Sequence, residues 1–396
     1  MFKLRNWIAD RIKSADSIAA RVMFEKARAM ELKGEKLVHF ELGEPDFDTP
    51  KNIVEAAKRA LDEGYTHYTP NSGLLELREA ISKKVKRDNQ IDADPQSEIC
   101  VTVGAQEGAF LAIMCTVEPG DEVIVTDPGY FTHPNYVKMA GGTVVAIPLR
   151  EQDSFRIDLN ELEKKITSRT KMIAINSPAN PTGSVLTRDD LKSISELVKR
   201  HNLLVLSDEI YEKIIYNGAK HCSIGAFSSI KDQVITINGF SKAYAMTGWR
   251  VGYVIANKDI LAQMVKLHQN AVTCAAAFAQ KGAIEALNGP QDSVDSMVAE
   301  FERRRNAIVE GLNSIEGVSC IRPRGAFYVF LNVRKLRKSS WEIGEYLLER
   351  CKVVTTPGSG FGNAGEGYLR ISYATSLECI EEGVRRIASG IEKLME

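Results

Sequence analysis

Seven short apolar segments alternate with helix-like stretches between residues 99 and 255, and this alternation constrains the fold more than any other feature. Strands that are buried on both faces appear as continuous apolar runs. The pattern therefore predicts an α/β fold, in which a mostly parallel seven-stranded sheet is sandwiched by helices. The predicted strands are 99–103, 123–126, 143–147, 172–175, 203–206, 234–237 and 251–255.

The pattern changes after Gly289-Pro290, where a long charged helix is predicted at 293–316 and strands are predicted around 327–331 and 368–373. A chain of 396 residues with 44% hydrophobic content is large enough for two domains. We predict a large domain at 45–288. A smaller α/β domain is predicted to combine 1–44 with 289–396.

Composition excludes several classes of function. A formal net charge of −1 gives no broad basic surface for nucleic acid. The seven cysteines are scattered without a Cys-x-x-Cys pair, and the six histidines are scattered too. This spacing indicates neither a disulfide framework nor a metal site. No early Gly-x-Gly-x-x-Gly follows a strand, so a dinucleotide site is not expected either.

The sequence also predicts a cytoplasmic protein without a membrane partner. No run approaches the roughly 18 apolar residues that would span a bilayer. The basic segment 1–13 has the amphipathic character of a transit peptide, but Asp10 and Asp16 interrupt it, and such presequences avoid acidic residues.

Lys242 is the first candidate for chemistry, because it follows the apolar segment 234–237 and lies among small and polar residues. Ligands of α/β sheets bind outside the carboxyl ends of the strands. A lysine that attacks a carbonyl must lose its proton, and burial beside a cation lowers the lysine pKa from about 10.4. Arg250 is close enough in sequence to be that cation and to bind a phosphate. The alternative is a solvated surface lysine.

Two other predicted strands also end in polar groups. Asp208 follows the segment 203–206, and its alternative role is a helix N-cap. The loop 176–183 contains two X-Pro steps, which favour an extended and rigid conformation that directs the Asn180 amide inward. An ordinary turn with a capping asparagine is the alternative for this loop.

Four motifs together resemble the class I aminotransferases of the pyridoxal-phosphate fold type I superfamily. They are NSPANPTG at 176–183, SDEIY at 207–211, SKAYAMTGWR at 241–250 and RISY at 370–373, in the order found in that family. Further matches extend from about Gly43 to the C-terminus, and the pattern is most similar to archaeal and bacterial aspartate and aromatic aminotransferases. The family's fold implies one antiparallel strand in the sheet, which we expect at 251–255.

The resemblance implies a pyridoxal 5′-phosphate cofactor, bound by Lys242 as a Schiff base. Asp208 would pair with the protonated ring nitrogen and keep the ring an electron sink. Tyr211 and Asn180 would donate hydrogen bonds to the phenolate oxygen of the ring and tune the Schiff-base pKa. Lys242 would then move the substrate proton.

The cofactor phosphate is expected at the turn between the first predicted strand and the following helix. Backbone N–H groups at a helix N-terminus favour anions, and small side chains let an anion approach. By itself such a turn is common in α/β proteins. The resemblance adds side chains from the Lys242 motif, so the expected phosphate ligands are Gly104, Ala105, Gln106, Ser241 and Arg250.

Two tyrosines have further roles by resemblance. Tyr130 matches the aromatic residue that stacks on the cofactor ring, and its neighbour Phe131 is the competing candidate. Tyr68 matches the tyrosine that reaches the phosphate of a partner subunit. The resemblance therefore implies a homodimer.

Substrate binding is expected at Arg370, because a planar guanidinium binds a carboxylate through two hydrogen bonds. A strand-surface arginine is the alternative. The Gly43 amide is expected to add a contact from the small domain, which would close over the substrate. Gln106 stands where one aspartate-selective subgroup has lysine, so a distal carboxylate would need other groups, such as Arg21.

The expected reaction moves the amino group of an L-amino acid to 2-oxoglutarate with ping-pong kinetics. Aspartate is the first expected donor and an aromatic amino acid the second. A carbon–sulfur lyase or a cyclopropane-forming synthase on the same scaffold would share Lys242, Asp208 and Arg370. A regulatory module that binds the cofactor without turnover is a third alternative, although the chain has neither a basic extension nor a broken motif set.

Overall fold

The computed structural model describes residues 7–396 and has the α/β architecture that the sequence predicts. The strands are β1 Val38–His39, β2 Ile99–Thr102, β3 Glu122–Asp127, β4 Thr143–Pro148, β5 Thr170–Asn176, β6 Leu204–Asp208, β7 Val234–Gly239, β8 Gly252–Ile255, β9 Tyr328–Asn332, β10 Val353–Val354, β11 Thr356–Pro357 and β12 Tyr368–Ser372. The helices are α1 Asp10–Lys13, α2 Ala19–Glu31, α3 Lys51–Asp62, α4 Leu75–Asn89, α5 Ala105–Thr116, α6 Thr132–Met139, α7 Leu159–Lys165, α8 Arg188–His201, α9 Lys258–Ala271, α10 Ala277–Asn288, α11 Asp292–Asn313, α12 Ser340–Cys351 and α13 Leu377–Met395.

The central sheet has seven strands in the order β2-β8-β7-β6-β5-β3-β4. β8 pairs antiparallel with β2 and with β7, and the other neighbouring pairs are parallel. The expected antiparallel strand at 251–255 is therefore confirmed. Every residue of β2, β7 and β8 is buried, which explains why these strands appear in the sequence as largely apolar runs.

Local signals in the sequence fix where several helices begin. α8 begins with a capping box in which the Thr187 side chain and the Asp190 carboxylate each accept a backbone N–H at the helix start. Ser339 and Glu342 form the same motif at α12. α5 begins directly after Gly104, whose φ of 77° lies in the left-handed region that favours glycine.

The strand order brings several motifs to one edge of the sheet. The parallel strands β5, β6 and β7 end at this edge, with Asn176 and Asp208 as the last residues of β5 and β6. Lys242 follows the end of β7. Because β8 runs in the opposite direction, it begins where β7 ends, so Arg250, just before β8, lies at the same edge.

The C-terminal region has a sheet of its own. β12 lies between β11 and β9, and both pairs are antiparallel. β1 pairs in parallel with β10, which joins the N-terminal segment to this region. These strands and helices α11 and α13 share an apolar core with residues of the Asp208 loop. The boundaries at 44/45 and 288/289 stay a prediction, and residues 1–6 of the N-terminal segment lie outside the described residues.

None of the helices within residues 7–396 combines the length and the apolar character that are needed to cross a membrane.

Candidate active site

A cavity of about 640 Å³ opens at the edge of the central sheet where the motifs meet. Its walls include most of the residues that the sequence predicts for the site, which are Gly43, Ala105, Gln106, Tyr130, Asn180, Asp208, Tyr211, Ser241, Lys242, Arg250 and Arg370. Gly104 and Tyr68 are predicted residues that do not line it. The cavity therefore brings together residues from four motifs that are far apart in the sequence.

Lys242 lies on the wall of this cavity, where its Nζ donates a hydrogen bond to the Gly43 carbonyl oxygen at 2.5 Å. Burial is the main cause that lowers the pKa of Lys242 to about 8, and the positive charges of Arg250 and Arg370 contribute to this lowering. The nearby carboxylates of Glu44 and Asp208 act in the opposite direction. A substantial fraction of this amine is thus neutral near physiological pH, and a neutral amine is a nucleophile and a proton acceptor.

Asp208 is a buried carboxylate, and among the described residues only the His133 ring forms an ion-pair contact with it, at 3.7 Å. Burial raises the pKa of Asp208 to about 7, and the charge of Glu209 adds to this effect. One carboxylate oxygen accepts the Ile210 backbone N–H at 3.1 Å. A buried carboxylate favours a cation beside it, because an isolated charge is costly to bury. Asp208 is therefore suited to bind a protonated nitrogen in the cavity.

His133 lies beside Asp208, and the sequence did not single it out. Its Nε2 is 3.7 Å from Asp208 Oδ2, and burial lowers the pKa of His133 to about 4. The imidazole is therefore neutral at physiological pH and does not neutralise Asp208. The His133 ring also packs edge-to-face against the Tyr130 ring, with the centroids 5.5 Å apart.

An anion-binding cradle lies at the N-terminus of α5, where Ala105 and Gln106 line the cavity. A side chain on Gly104 would overlap the Arg250 guanidinium, so the glycine allows this cation to lie close to the helix N-terminus. Backbone N–H groups, the helix dipole, the Ser241 hydroxyl and a guanidinium are a donor set that suits a phosphate.

Glu107 fixes the turn that leads into α5. Its Oε2 accepts the Val103 backbone N–H at 2.5 Å, and its Oε1 lies 2.9 Å from Nδ1 of the buried His268 on α9. These contacts tie the backbone of the cradle to α9 through residues that do not line the cavity.

Tyr130 and Phe131 both line the cavity, but they face different neighbours. Tyr130 packs against His133, next to Asp208, whereas the Phe131 ring lies 6.0 Å from the Phe361 ring. The position beside Asp208 favours Tyr130 over Phe131 as the ring that would stack on a bound aromatic ligand.

Arg370 is a buried cation whose partners are neutral oxygens. Its Nη2 donates to the Glu41 carbonyl oxygen and to Thr356 Oγ1, and its Nη1 lies 3.4 Å from Asn180 Oδ1. Arg370 is 2% exposed, and its Nε has no hydrogen-bond partner within the described chain. A buried guanidinium with a free donor and no carboxylate partner among residues 7–396 is suited to bind an external carboxylate.

Tyr328 is a further cavity residue that the sequence did not indicate. It belongs to β9, and its hydroxyl lies 2.7 Å from the Tyr211 hydroxyl. Because Tyr328 falls inside an apolar strand, its sequence context indicates a core residue, and no local signal distinguishes it from one.

A buried charge cluster is formed by residues that follow Asp208 in the chain, and it includes a histidine whose grouping the scattered sequence spacing did not indicate. Donor atoms of Glu209, Glu212 and His221 lie within 4.8 Å of one another. However, Lys84 from α4 donates to Glu212, and its Nζ also lies 2.7 Å from Asn89 Oδ1. A lysine ammonium thus supplies the positive charge, and the cluster anchors the loop that carries Asp208 and Tyr211.

Comparison with known proteins decides the family. The family model described as aminotransferase class I and II matches residues 35–387. The chain belongs to this family. The aminotransferase is 44% identical over 392 residues to an aspartate aminotransferase of Pyrococcus horikoshii, with 98% of each chain covered. It is 41% identical over 382 residues to aromatic-amino-acid aminotransferase 2 of Thermococcus litoralis, covering 96% of this chain and 97% of the relative.

A solved structure supports the same assignment. The structure of the present chain matches that of the aspartate aminotransferase of Thermus thermophilus with maleate, with a TM-score of 0.92 at 36% identity. The match covers 98% of this chain and 100% of the other. The predicted family, fold class and transamination activity are therefore confirmed. The roles of individual side chains stay predictions.

Proposed function

We propose that this aminotransferase binds pyridoxal 5′-phosphate between Lys242 and Asp208 and transfers the amino group of an L-amino acid to 2-oxoglutarate by a ping-pong mechanism. The observation that carries the proposal is the convergence, in one cavity, of a half-buried lysine, a buried carboxylate, an anion cradle and a buried arginine that has no carboxylate partner among residues 7–396. When bound, pyridoxal phosphate supplies a ring that accepts the electron pair left at Cα after proton loss.

The residues that line the cavity, together with Gly104 beside it, match this cofactor group by group. The N-terminus of α5, with Gly104, Ala105 and Gln106, would bind the phosphate together with Ser241 and Arg250. Asp208 would bind the ring nitrogen and keep it protonated. Tyr130 would cover one face of the ring.

Asn180 and Tyr211 would donate to the phenolate oxygen of the ring. Asn180 Oδ1 already faces Arg370 Nη1, so its Nδ2 group is the part that remains to donate into the cavity. Burial raises the pKa of Tyr211 well above its usual value, so its hydroxyl keeps a proton that it can donate.

Lys242 Nζ would bind the cofactor covalently and then carry the Cα proton. The neutral amine is the active form in both tasks, and its fraction rises as the pH passes through the pKa of about 8. We expect the rate of the proton-transfer step to rise between pH 7 and pH 9 for this reason.

Arg370 would bind the α-carboxylate that all amino-acid substrates share. Gly43, whose carbonyl oxygen accepts a hydrogen bond from Lys242 Nζ, belongs to the predicted small domain at 1–44 plus 289–396. Movement of this domain relative to 45–288 would close the cavity and exclude water from Lys242.

Absorbance tests the proposed function directly. Purified protein supplied with pyridoxal phosphate should show a visible band that disappears when an amino acid is added alone. The band should return when 2-oxoglutarate is added, because each half-reaction can be run separately in a ping-pong mechanism. Release of pyruvate, ammonia or sulfide without an oxo acid would instead indicate a lyase. A visible band that no amino acid changes would indicate a regulatory module.

Aspartate is the proposed first donor and an aromatic amino acid the second. Relatives that are over 40% identical are named for each of these substrates. Gln106 on the cavity wall carries no charge that could bind a distal carboxylate. Arg21 on α2 also lines the cavity and is a cation available for that role.

Replacing Arg21 with glutamine should lower kcat/KM for aspartate by about 10-fold, since a hydrogen bond to a charged group contributes about 1.5–3 kcal/mol and Arg21 is partly solvated. The value for phenylalanine should stay within about 2-fold, because that side chain has no carboxylate. Steady-state kinetics with both donors measures the difference. Arg28→Gln on the same helix is the control, because Arg28 does not line the cavity. An equal loss of kcat/KM for both donors would show that Arg21 does not bind the distal carboxylate.

The active unit is proposed to be a homodimer. Tyr68 is 86% exposed in the single chain, and a second copy would bring it towards the phosphate of its partner. Sedimentation at micromolar concentration should give the mass of two chains, and Tyr68→Phe should weaken binding of pyridoxal phosphate. A monomer with full activity would contradict this. The cytoplasmic location stays a prediction from the sequence.

A further inference from the structure

Tyr328 contacts both the proposed cofactor-binding tyrosine and the proposed substrate-binding arginine. Its hydroxyl lies 2.7 Å from the Tyr211 hydroxyl, and the Arg370 guanidinium lies over its ring, 4.7 Å from the centroid. Tyr328 is 1% exposed and lines the cavity. A single side chain therefore connects the two halves of the site.

The close packing around the Tyr328 hydroxyl shows that its position is fixed. A Cβ on Gly43 would overlap the hydroxyl oxygen, so the N-terminal segment can pass there because residue 43 has no side chain. On the other side, Tyr328 is paired with Ser372 across the β9–β12 ladder, while Arg370 is paired with Phe330. The ring and the guanidinium thus come from neighbouring strands and cannot shift independently.

The two hydroxyls share one hydrogen bond, and its direction matters. Each phenol has a single proton, so one hydroxyl donates to the other. If Tyr328 donates, the Tyr211 proton remains free to point into the cavity. If Tyr211 donated to Tyr328, the Tyr211 proton would be used within the pair and would not reach the phenolate oxygen of a bound cofactor.

We propose that Tyr328 is a positioning residue that donates its proton to Tyr211, so that Tyr211 donates towards the cofactor, while its ring face supports Arg370 for the substrate carboxylate. This inference rests on the proposed function. Donation to the phenolate oxygen stabilises the form of the cofactor chromophore that has lost its proton. A cation over an aromatic ring gains further stabilisation when water is excluded.

Two substitutions separate the two contacts. Tyr328→Phe keeps the ring and removes the hydroxyl, so the pKa at which the visible band of bound cofactor titrates should rise by about 0.4 to 1 unit, the equivalent of one hydrogen bond. KM for the amino acid should change less than about 2-fold. Tyr328→Leu removes the ring as well, and KM should then rise by about 3- to 30-fold, as expected from a partly desolvated cation–π contact.

Two further variants serve as controls. Tyr216→Phe removes another buried hydroxyl of the same apolar core, which donates to the Ala326 carbonyl outside the cavity, and should leave the titration unchanged. In a Tyr211→Phe background, adding Tyr328→Phe should produce no further shift, because the hydroxyl acts through Tyr211.

The outcomes distinguish this inference from the proposed function. If wild-type protein shows no visible band with pyridoxal phosphate, the proposed function fails and the inference with it. If the wild-type band titrates normally but Tyr328→Phe titrates at the same pH, only the inference is overturned. A shift that persists in the Tyr211→Phe background also overturns it, because the hydroxyl would then act by another route.

Discussion

Replacing Lys242 with alanine is expected to lower kcat by about 10⁴-fold or more. A positioned general acid–base group alone contributes about 10²- to 10⁴-fold, and this substitution also removes covalent attachment of the cofactor. The expected loss concerns chemistry and not folding. Desolvation of the half-buried Lys242 amine disfavours its charged form and lowers its pKa to about 8, so removing this amine should not destabilise the fold. The measurement is the single-turnover rate of the visible band after mixing with amino acid.

Two controls make this result specific. Lys58→Ala removes an exposed lysine of α3 that pairs with Glu55 at the surface, and it should leave the rate unchanged. A small primary amine added to Lys242→Ala should restore part of the proton transfer, because it can occupy the space that the side chain leaves. The role assigned to Lys242 is wrong if the alanine variant cycles at the wild-type rate.

The sheet was predictable because strands that are buried on both faces have apolar side chains at consecutive positions in the sequence. All seven predicted strands appear, and they differ from the predictions mainly at their ends. The apolar pattern stops at residues 175 and 206, whereas β5 and β6 continue to Asn176 and Asp208, which pair with each other in the parallel ladder. Apolar runs report which side chains are buried in the core. They do not report where the backbone hydrogen bonding ends, and here it ends in polar residues that face the cavity.

The site was predictable where its residues belong to short motifs. Lys242 and Arg250 are eight positions apart in the sequence, and their joint place at the sheet edge follows once β8 is known to run antiparallel to β7. Asp208 and Asn180 were identified because polar residues that follow apolar strands face the same edge. Local sequence still left an alternative open for Lys242, Asp208 and Asn180, and the family resemblance assigned their roles, which stay predictions.

His133 and Tyr328 could not be predicted in the same way. His133 lies on α6, which follows β3, and Asp208 ends β6. Only β5 separates β3 from β6 in the sheet, so the contact between His133 and Asp208 depends on the strand order and not on any local pattern. Tyr328 lies 117 positions from Tyr211 in the sequence, and their contact depends on how β9 packs against the Asp208 loop. Contacts between distant segments depend on tertiary packing, and nothing in an apolar run indicates which of its residues has a polar partner.

Substitution of Asp208 is the second change for which we expect a large loss of activity. The Asp208 carboxylate is buried, and its neighbour His133 is neutral. His133 cannot neutralise it, since burial lowers the pKa of His133 to about 4. A protonated ring nitrogen in the cavity would be the missing partner, and ion pairing would then lower the pKa of Asp208 from about 7. Asp127 offers a matched comparison. It is a buried carboxylate that ends β3, accepts the backbone N–H groups of Asn363 and Ala364, and does not line the cavity.

Asp208→Asn should therefore bind the cofactor through the α5 cradle and Lys242 but lower kcat by roughly 10²- to 10⁴-fold, since loss of one partner of a buried ion pair costs about 3–5 kcal/mol. Without the carboxylate the ring nitrogen would lose its proton, and the ring would accept electrons less well. Stopped-flow absorbance and cofactor titration measure the two effects separately. Asp127→Asn should reduce thermal stability while keeping the single-turnover rate within about 3-fold, because its hydrogen bonds are structural. Equal rates for Asp208→Asn and wild type would show that the ring nitrogen is not bound at Asp208.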